Sequence, residues 1–163
     1  MPLNLTTMDL DVFWNKPVDL REDHDDGLIL MCDLEDLPEE PGVYAFCRTF
    51  GDKIEPLYIG RAVNLRSRIK GHFKSSVKLM NKINDGKNGQ KVVVTGELRT
   101  KSGQSVDKAL VIVETALIKH AMAEGHDLLN VAGTRTAVHT VHSSGNQEAC
   151  SHLFRKTIMT AKK

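Results

Sequence analysis

The 163-residue sequence predicts an α+β domain, a small three-stranded antiparallel sheet flanked by helices, with extensions at both ends. Three observations carry that expectation. Apolar patterning alternates between short strand-like runs and helix spacing in the order strand, strand, helix, strand, helix. The loop between the first two strands is too short for a crossover helix, which makes that pair antiparallel. The chain is also long enough to bury a real core, with 40% hydrophobic and 26% charged residues, a soluble globular composition.

The elements follow in order. "PEEPGVYAF" turns the chain into a strand at about Val43–Arg48, because Pro and Gly punctuate while Val, Tyr and Phe favour extended backbone. "TFGDKIEP" reads as the connecting loop and Leu57–Ile59 as the second strand. Asn64 is a suitable N-cap for a helix running to about Lys74, with Leu65, Ile69 and Phe73 as its buried stripe. "NDGKNG" is a turn and "KVVVTGEL" a third strand. Ser105 can cap a long helix that Gly125 closes after Glu124. These elements define a central domain at 40–131, between an acidic arm at 1–39 and a weakly patterned extension at 132–163.

Several classes are excluded or disfavoured. The longest apolar stretch, around Leu110–Ile118, is too short to span a membrane and is broken by Glu114. No basic flank followed by an apolar run opens the chain, so no secretory signal is expected. Cys32, Cys47 and Cys150 are odd in number and lack metal-like spacing, which fits a reduced, cytoplasmic protein. His139, His142, Cys150 and His152 match no zinc pattern and read as a surface tail.

The net charge of +1 hides an asymmetry. Residues 1–40 hold twelve acids and two bases, whereas residues 61–91 hold nine bases and one acid. The basic segment is a candidate footprint for an acidic partner such as nucleic acid. On helical spacing Arg61, Arg68 and His72 share one side, and Arg66 and Lys70 lie on another. Two guanidinium forks beside an imidazole suit phosphate oxygens and proton transfer. The acidic arm could gate that surface, cap the sheet or mediate self-association, and a homodimer is one arrangement left open.

Glu114 stands out by periodicity alone. Its helical neighbours Leu110, Val111, Leu117 and Ile118 are all apolar, and the polar stripe runs through Lys108, Thr115 and Lys119. A carboxylate turned towards the core needs a cation, a donor or a metal. Tyr44 and Tyr58, the two tyrosines of the chain, fall on consecutive strands that should pair.

Together these positions resemble the GIY-YIG nuclease superfamily. "GVY" at Gly42–Tyr44 and "YIG" at Tyr58–Gly60 are similar to its two signature motifs. Arg68 follows ten residues after the second tyrosine, and His72 four residues later, as in many members. Arg61 matches the basic residue common after the second motif in excision-repair members. Glu114 matches the metal-binding glutamate, and Asn130 in "HDLLN" the asparagine that closes the site. The resemblance covers about 41–130, and the thirteen residues between the tyrosines exceed the usual spacing.

The resemblance implies a divalent-metal-dependent endonuclease that hydrolyses phosphodiester bonds in DNA with one Mg²⁺ or Mn²⁺ on Glu114. It implies catalytic roles for Tyr44, Tyr58, Arg68, His72, Glu114 and Asn130, and nucleic-acid contacts for Arg61, Arg66, Lys70 and Lys74. Tyr58, Tyr44 and His72 are all candidates for the general base. The alternatives are a non-catalytic nucleic-acid-binding module on the same fold and a nuclease acting on RNA. A role in restriction, repair or mobile-element function is not written in these residues.

Overall fold

A computed structural model describes residues 7–129, 139–153 and 156–159. Its strands are β1 (Asp9–Trp14), β2 (Val18–Asp19), β3 (Arg21–Asp23), β4 (Leu28–Met31), β5 (Gly42–Phe50), β6 (Lys53–Ala62), β7 (Lys91–Arg99), β8 (His139–Gly145) and β9 (Lys156–Met159). Its helices are α1 (Leu65–Ser75), α2 (Val77–Asp85), α3 (Val106–Ala123) and α4 (Gln147–His152). None among the described residues is long and apolar enough to cross a membrane.

The α+β class and the strand, strand, helix, strand, helix order are present, but the sheet is wider than three strands. Its path is β6-β5-β7-β1-β8-β9, with β2 also pairing β7. Strand β1 lies antiparallel to β7 and parallel to β8, so the sheet is mixed. The expectation failed at the chain ends. Residues 9–14 lie inside the sheet rather than outside the domain, and the tail supplies β8, α4 and β9.

Strand β5 pairs on both sides and is covered on both faces. Val43, Ala45 and Cys47 face the α3 layer, whereas Tyr44 and Phe46 face α1. A strand buried on both faces reads as the near-continuous apolar run "VYAFC" rather than as an alternation. The α3 layer adds Leu10, Val12 and Trp14 from β1 together with Ala149 and Leu153 near the tail. The α1 layer adds α2 and the β3–β4 hairpin through Leu30, Met80 and Ile83.

Local chemistry explains the helix starts. The Asn64 side chain accepts from the Ser67 N–H at 2.9 Å, and the expected stripe of Leu65, Ile69 and Phe73 is buried. Ser105 caps α3 by accepting from the Lys108 N–H. The segment read as a loop between the first two strands is mostly strand, since pairing continues to Phe50↔Lys53 with a bulge between Phe46 and Cys47. The long spacing between the tyrosines is therefore taken up by strand length.

Two details of the sequence reading need correction. Arg61 belongs to β6, so helical spacing does not relate it to Arg68. Thr115 is buried and does not lie on a polar stripe, because α3 is covered by the sheet and by the C-terminal elements on most of its surface.

The burial of β1 yields the first prediction. Trp14 is 1% exposed and packs within the α3-side core. Trp14→Ala should cost about 3–5 kcal/mol in urea unfolding. A loss below roughly 1 kcal/mol, the scale of a surface substitution, would show that β1 is dispensable to the core.

Candidate active site

The site is organised by the register of β5 against β6. Tyr44 lies opposite Gly60, and Phe46 opposite Tyr58. A Cβ placed on Gly60 would sit 2.5 Å from both Cζ and the hydroxyl of Tyr44. The glycine of "YIG" is therefore the floor on which the tyrosine of "GVY" rests. Gly42 is equally constrained, since a Cβ there would lie 2.0 Å from the Gly96 carbonyl oxygen of β7.

On the α1 face an aromatic cluster surrounds one cation. The Tyr44 hydroxyl is 2.6 Å from Nε2 of His72, and Nδ1 of His72 is 2.9 Å from the Ser76 hydroxyl. Phe46 packs edge-on to both Tyr44 and His72, and Tyr58 stands edge-on to His72. Arg68, exposed on α1, lies beside Tyr44 and Tyr58, whose hydroxyls hold its pKa above the usual value. Tyr44 is 1% and His72 5% exposed, whereas Tyr58 is half-buried.

Burial sets the protonation of this cluster. It is the main cause that raises the Tyr44 phenol well above its ordinary range; Tyr58 adds to the rise and Arg68 opposes it. Burial first, and the Arg68 charge second, push His72 down to about 4. Near neutral pH both groups are uncharged, and Arg68 carries the positive charge among them.

On the α3 face lies a second group. Successive residues of β6 point to opposite sides, so Arg61 emerges away from Gly60 and Tyr58. Its guanidinium donates from Nη1 to Oε1 of Glu114 at 2.5 Å. The Glu114 side chain is 15% exposed and that of Arg61 44%. Of the partners that the apolar surroundings of Glu114 demanded, the structure shows the cation.

Glu114 also suits a hard divalent ion. It is an oxygen donor turned partly inward, and its partner has enough exposure to swing away. Among the described residues no three His, Cys, Asp or Glu side chains converge. Glu114 would be the one protein carboxylate on such an ion, an arrangement that magnesium tolerates because it keeps waters and shares phosphate oxygens.

The remaining positions separate clearly. Arg66 is engaged by the N-terminal segment, donating to the Leu37 carbonyl at 2.9 Å and to Glu39 at 2.8 Å. Lys70 and Lys74 are exposed on α1 and form no ion pair among the described residues. Asn130 lies outside the described residues. Sequence reasoning missed Ser76 and Phe46. Their signals were faint: a serine four residues beyond a helical histidine, and an aromatic residue two beyond Tyr44 on one strand face.

No family model matches the chain, and no solved structure does. Local likeness is found to UvrABC system protein C. The protein of that name from Deinococcus radiodurans is 41% identical over 87 residues, 53% of this chain and 12% of the relative. That from Chlorobium chlorochromatii is 38% identical over 68 residues, 41% of this chain and 10% of the relative. That from Synechococcus elongatus is 47% identical over 51 residues, 31% of this chain and 8% of the relative. The chain thus spans about a tenth of the length of the relatives it matches.

Two predictions follow from the geometry. The unfolded chain protonates His72 near pH 6.5 and the folded chain only near 4, so between those values the unfolded state binds more protons. The histidine's contribution is fully present above pH 6.5 and is lost as pH falls towards 4. Its full value is about 3 kcal/mol. Denaturant unfolding across that range should show a shallower loss of stability in His72→Gln than in the parent; parallel curves would refute the buried neutral histidine. Gly60→Ala should displace the Tyr44 ring and destabilise the fold by about 1–3 kcal/mol, the cost of overpacking. An unchanged midpoint would mean that the ring has room to move.

Proposed function

We propose that this chain is a metal-dependent endonuclease of GIY-YIG type that hydrolyses phosphodiester bonds in DNA. The observation that carries the reading is the convergence of Tyr44, Tyr58, Arg68 and His72 on one face of β5–β6, with Glu114 held by Arg61 across the same strand. Of the residues that suggested the family from the sequence, Tyr44, Tyr58, Arg68 and His72 form one polar group and Arg61 and Glu114 form another, on the two faces of β6. Local likeness to UvrABC system protein C supports DNA as the substrate.

The difference in burial supports different work for the two tyrosines. A general base must reach the water it deprotonates. Tyr44 is enclosed, and its phenol is held in the neutral form. His72 is enclosed too, and an imidazole with its pKa near 4 is a weak base. Tyr58 is the partly exposed hydroxyl beside Arg68, so it takes the water proton. Arg68 neutralises charge developing on the phosphoryl oxygens and on the Tyr58 oxygen. Tyr44 and His72 fix the position of Arg68 from behind.

Glu114 would hold Mg²⁺ or Mn²⁺, which supplies charge neutralisation at the leaving and non-bridging oxygens when bound. Arg61, which donates to Glu114 here, would be free to bind a phosphate as a bidentate donor with Glu114 otherwise engaged. Lys70 and Lys74 extend the positive surface along α1 for flanking phosphates. Arg66 is excluded from that surface by its bonds to Leu37 and Glu39. Asn130 retains the role of orienting the site that the family resemblance gives it.

The test is incubation of the purified protein with supercoiled plasmid and Mg²⁺ or Mn²⁺. Cleavage should be lost in EDTA and fall by about 10²-fold or more in Tyr58→Phe and in Glu114→Ala. DNA binding should survive in both variants and weaken in Arg68→Ala. Cleavage at the parental rate by Glu114→Ala would remove the metal assignment. Retained binding with no cleavage of plasmid, single strands or RNA would leave a nucleic-acid-binding module.

A further inference from the structure

Ser76 holds a place where serine normally serves a helix. It ends α1 and directly precedes the first residue of α2. At that position a serine hydroxyl ordinarily accepts from an N–H two or three residues on, a bond worth about 1 kcal/mol. Ser76 makes no such bond. Its backbone, at φ −93° and ψ 58°, leaves the side chain on the α1 side, and Oγ lies 2.9 Å from Nδ1 of His72. A favourable capping interaction is thus forgone for a contact with one imidazole nitrogen.

The other ring nitrogen lies 2.6 Å from the Tyr44 hydroxyl. A neutral imidazole has one N–H and one lone pair, so the two bonds are coupled. Whatever role Nδ1 plays towards Ser76, Nε2 must play the opposite role towards Tyr44. The two hydroxyls break the symmetry. A phenol is a stronger donor and a weaker acceptor than an aliphatic hydroxyl, and the Tyr44 contact at 2.6 Å is shorter than the Ser76 contact at 2.9 Å. The phenolic proton therefore goes to Nε2, which places the imidazole proton on Nδ1 and makes the Ser76 oxygen its acceptor.

Resting on the nuclease reading for its catalytic consequence, we propose that Ser76 is a positioning residue that fixes His72 as the Nδ1-protonated tautomer and so aims the Tyr44 proton away from Arg68. The chain of donors runs from Tyr44 to His72 to Ser76. It leaves the lone pairs of Tyr44 to the neighbouring guanidinium, whose charge is felt by both tyrosines. No covalent bond changes in this arrangement, and the Ser76 hydroxyl bonds His72. Its hydroxyl acts through two side chains on the group that receives the substrate.

The experiment uses the full chain with ¹⁵N-labelled histidine. Long-range ¹H–¹⁵N correlation near pH 7 should show His72 of the parent as the neutral Nδ1–H tautomer. Ser76→Ala should shift that signal towards the Nε2–H form or a mixture, and Ser76→Thr should restore it. On plasmid, Ser76→Ala should lower kcat by about tenfold with KM unchanged, and Ser76→Thr should recover most of the loss. Ser76→Ala should also lower the thermal midpoint modestly, because the buried Nδ1–H loses its acceptor, and Ser76→Thr should restore it. A parent spectrum showing Nε2–H, or a His72 signal unaltered in Ser76→Ala, would overturn the proposal. If the parent cleaves nothing, the nuclease reading falls and the spectra alone decide the tautomer.

Discussion

The seat of Tyr44 on Gly60 is the constraint from which the rest of the site follows. An aromatic ring occupies the volume where any other residue would carry its Cβ, with hydroxyl and ring carbon only 2.5 Å from that point. That contact requires the register in which Tyr44 faces Gly60 and Phe46 faces Tyr58. A one-residue slip of β6 would send Tyr58 to the opposite face and bring Arg61 under α1. With the register fixed, the Tyr44 hydroxyl meets His72 on α1, and the next residue of β6 delivers Arg61 to Glu114 on α3. One strand therefore serves two polar groups, because its side chains alternate and each face is covered by a different helix.

The two groups use opposite electrostatic solutions. Around Arg68 the enclosed neighbours Tyr44 and His72 are held uncharged by burial, so they do not neutralise the guanidinium. Around Glu114 the carboxylate is directly opposed by a guanidinium in a partly exposed pair. The first arrangement keeps a positive charge available to an incoming anion. The second is readily exchanged, since ion pairs with one solvent-facing partner are individually weak.

The sequence revealed the parts of the fold that local chemistry decides. Asn64 and Ser105 mark helix starts through their own hydrogen bonds, and the stripe at Leu65, Ile69 and Phe73 marks the face that α1 buries. The parts decided by distant pairing were hidden. Residues 9–14 alternate as a half-buried strand should, but Asp9 and Asp11 occupy the other positions and gave the segment the look of an acidic arm. Its partner β8 is about 130 residues further on, a separation that no local pattern reports. Helix α2 carries Leu79, Met80 and Ile83 at helical spacing, but its last two residues, Asn84 and Asp85, open the run "NDGKNG" that reads as a turn. At the candidate site, residue types and order singled out Tyr44, Tyr58, Arg68 and His72, which the fold brings together, and Glu114, which it pairs with Arg61. They could not show which tyrosine is enclosed, because burial depends on the β5–β6 register and on where α1 lies across it.

The arginines show how a near-neutral chain keeps a strongly positive surface. Four of them, at 48, 61, 66 and 68, have different partners: Glu55 for the first, Glu114 for the second, the Leu37–Glu39 segment for the third and the tyrosine hydroxyls for the fourth. The acid-rich N-terminal segment meets the basic one at few points among the described residues, chiefly Glu39 with Arg66 and Glu22 with Asn84. Strand β1 and the β3–β4 hairpin hold those acids against the sheet and against the flank of α1 and α2 instead. Opposite charges twenty or more residues apart in sequence do not cancel in space unless the fold brings them together. Here packing of the apolar residues between the acids decides where they go, and it leaves the exposed side of α1 positive. The role of the acidic segment is thus chiefly in the core, and its charge is what remains on the solvent side of strands built for burial.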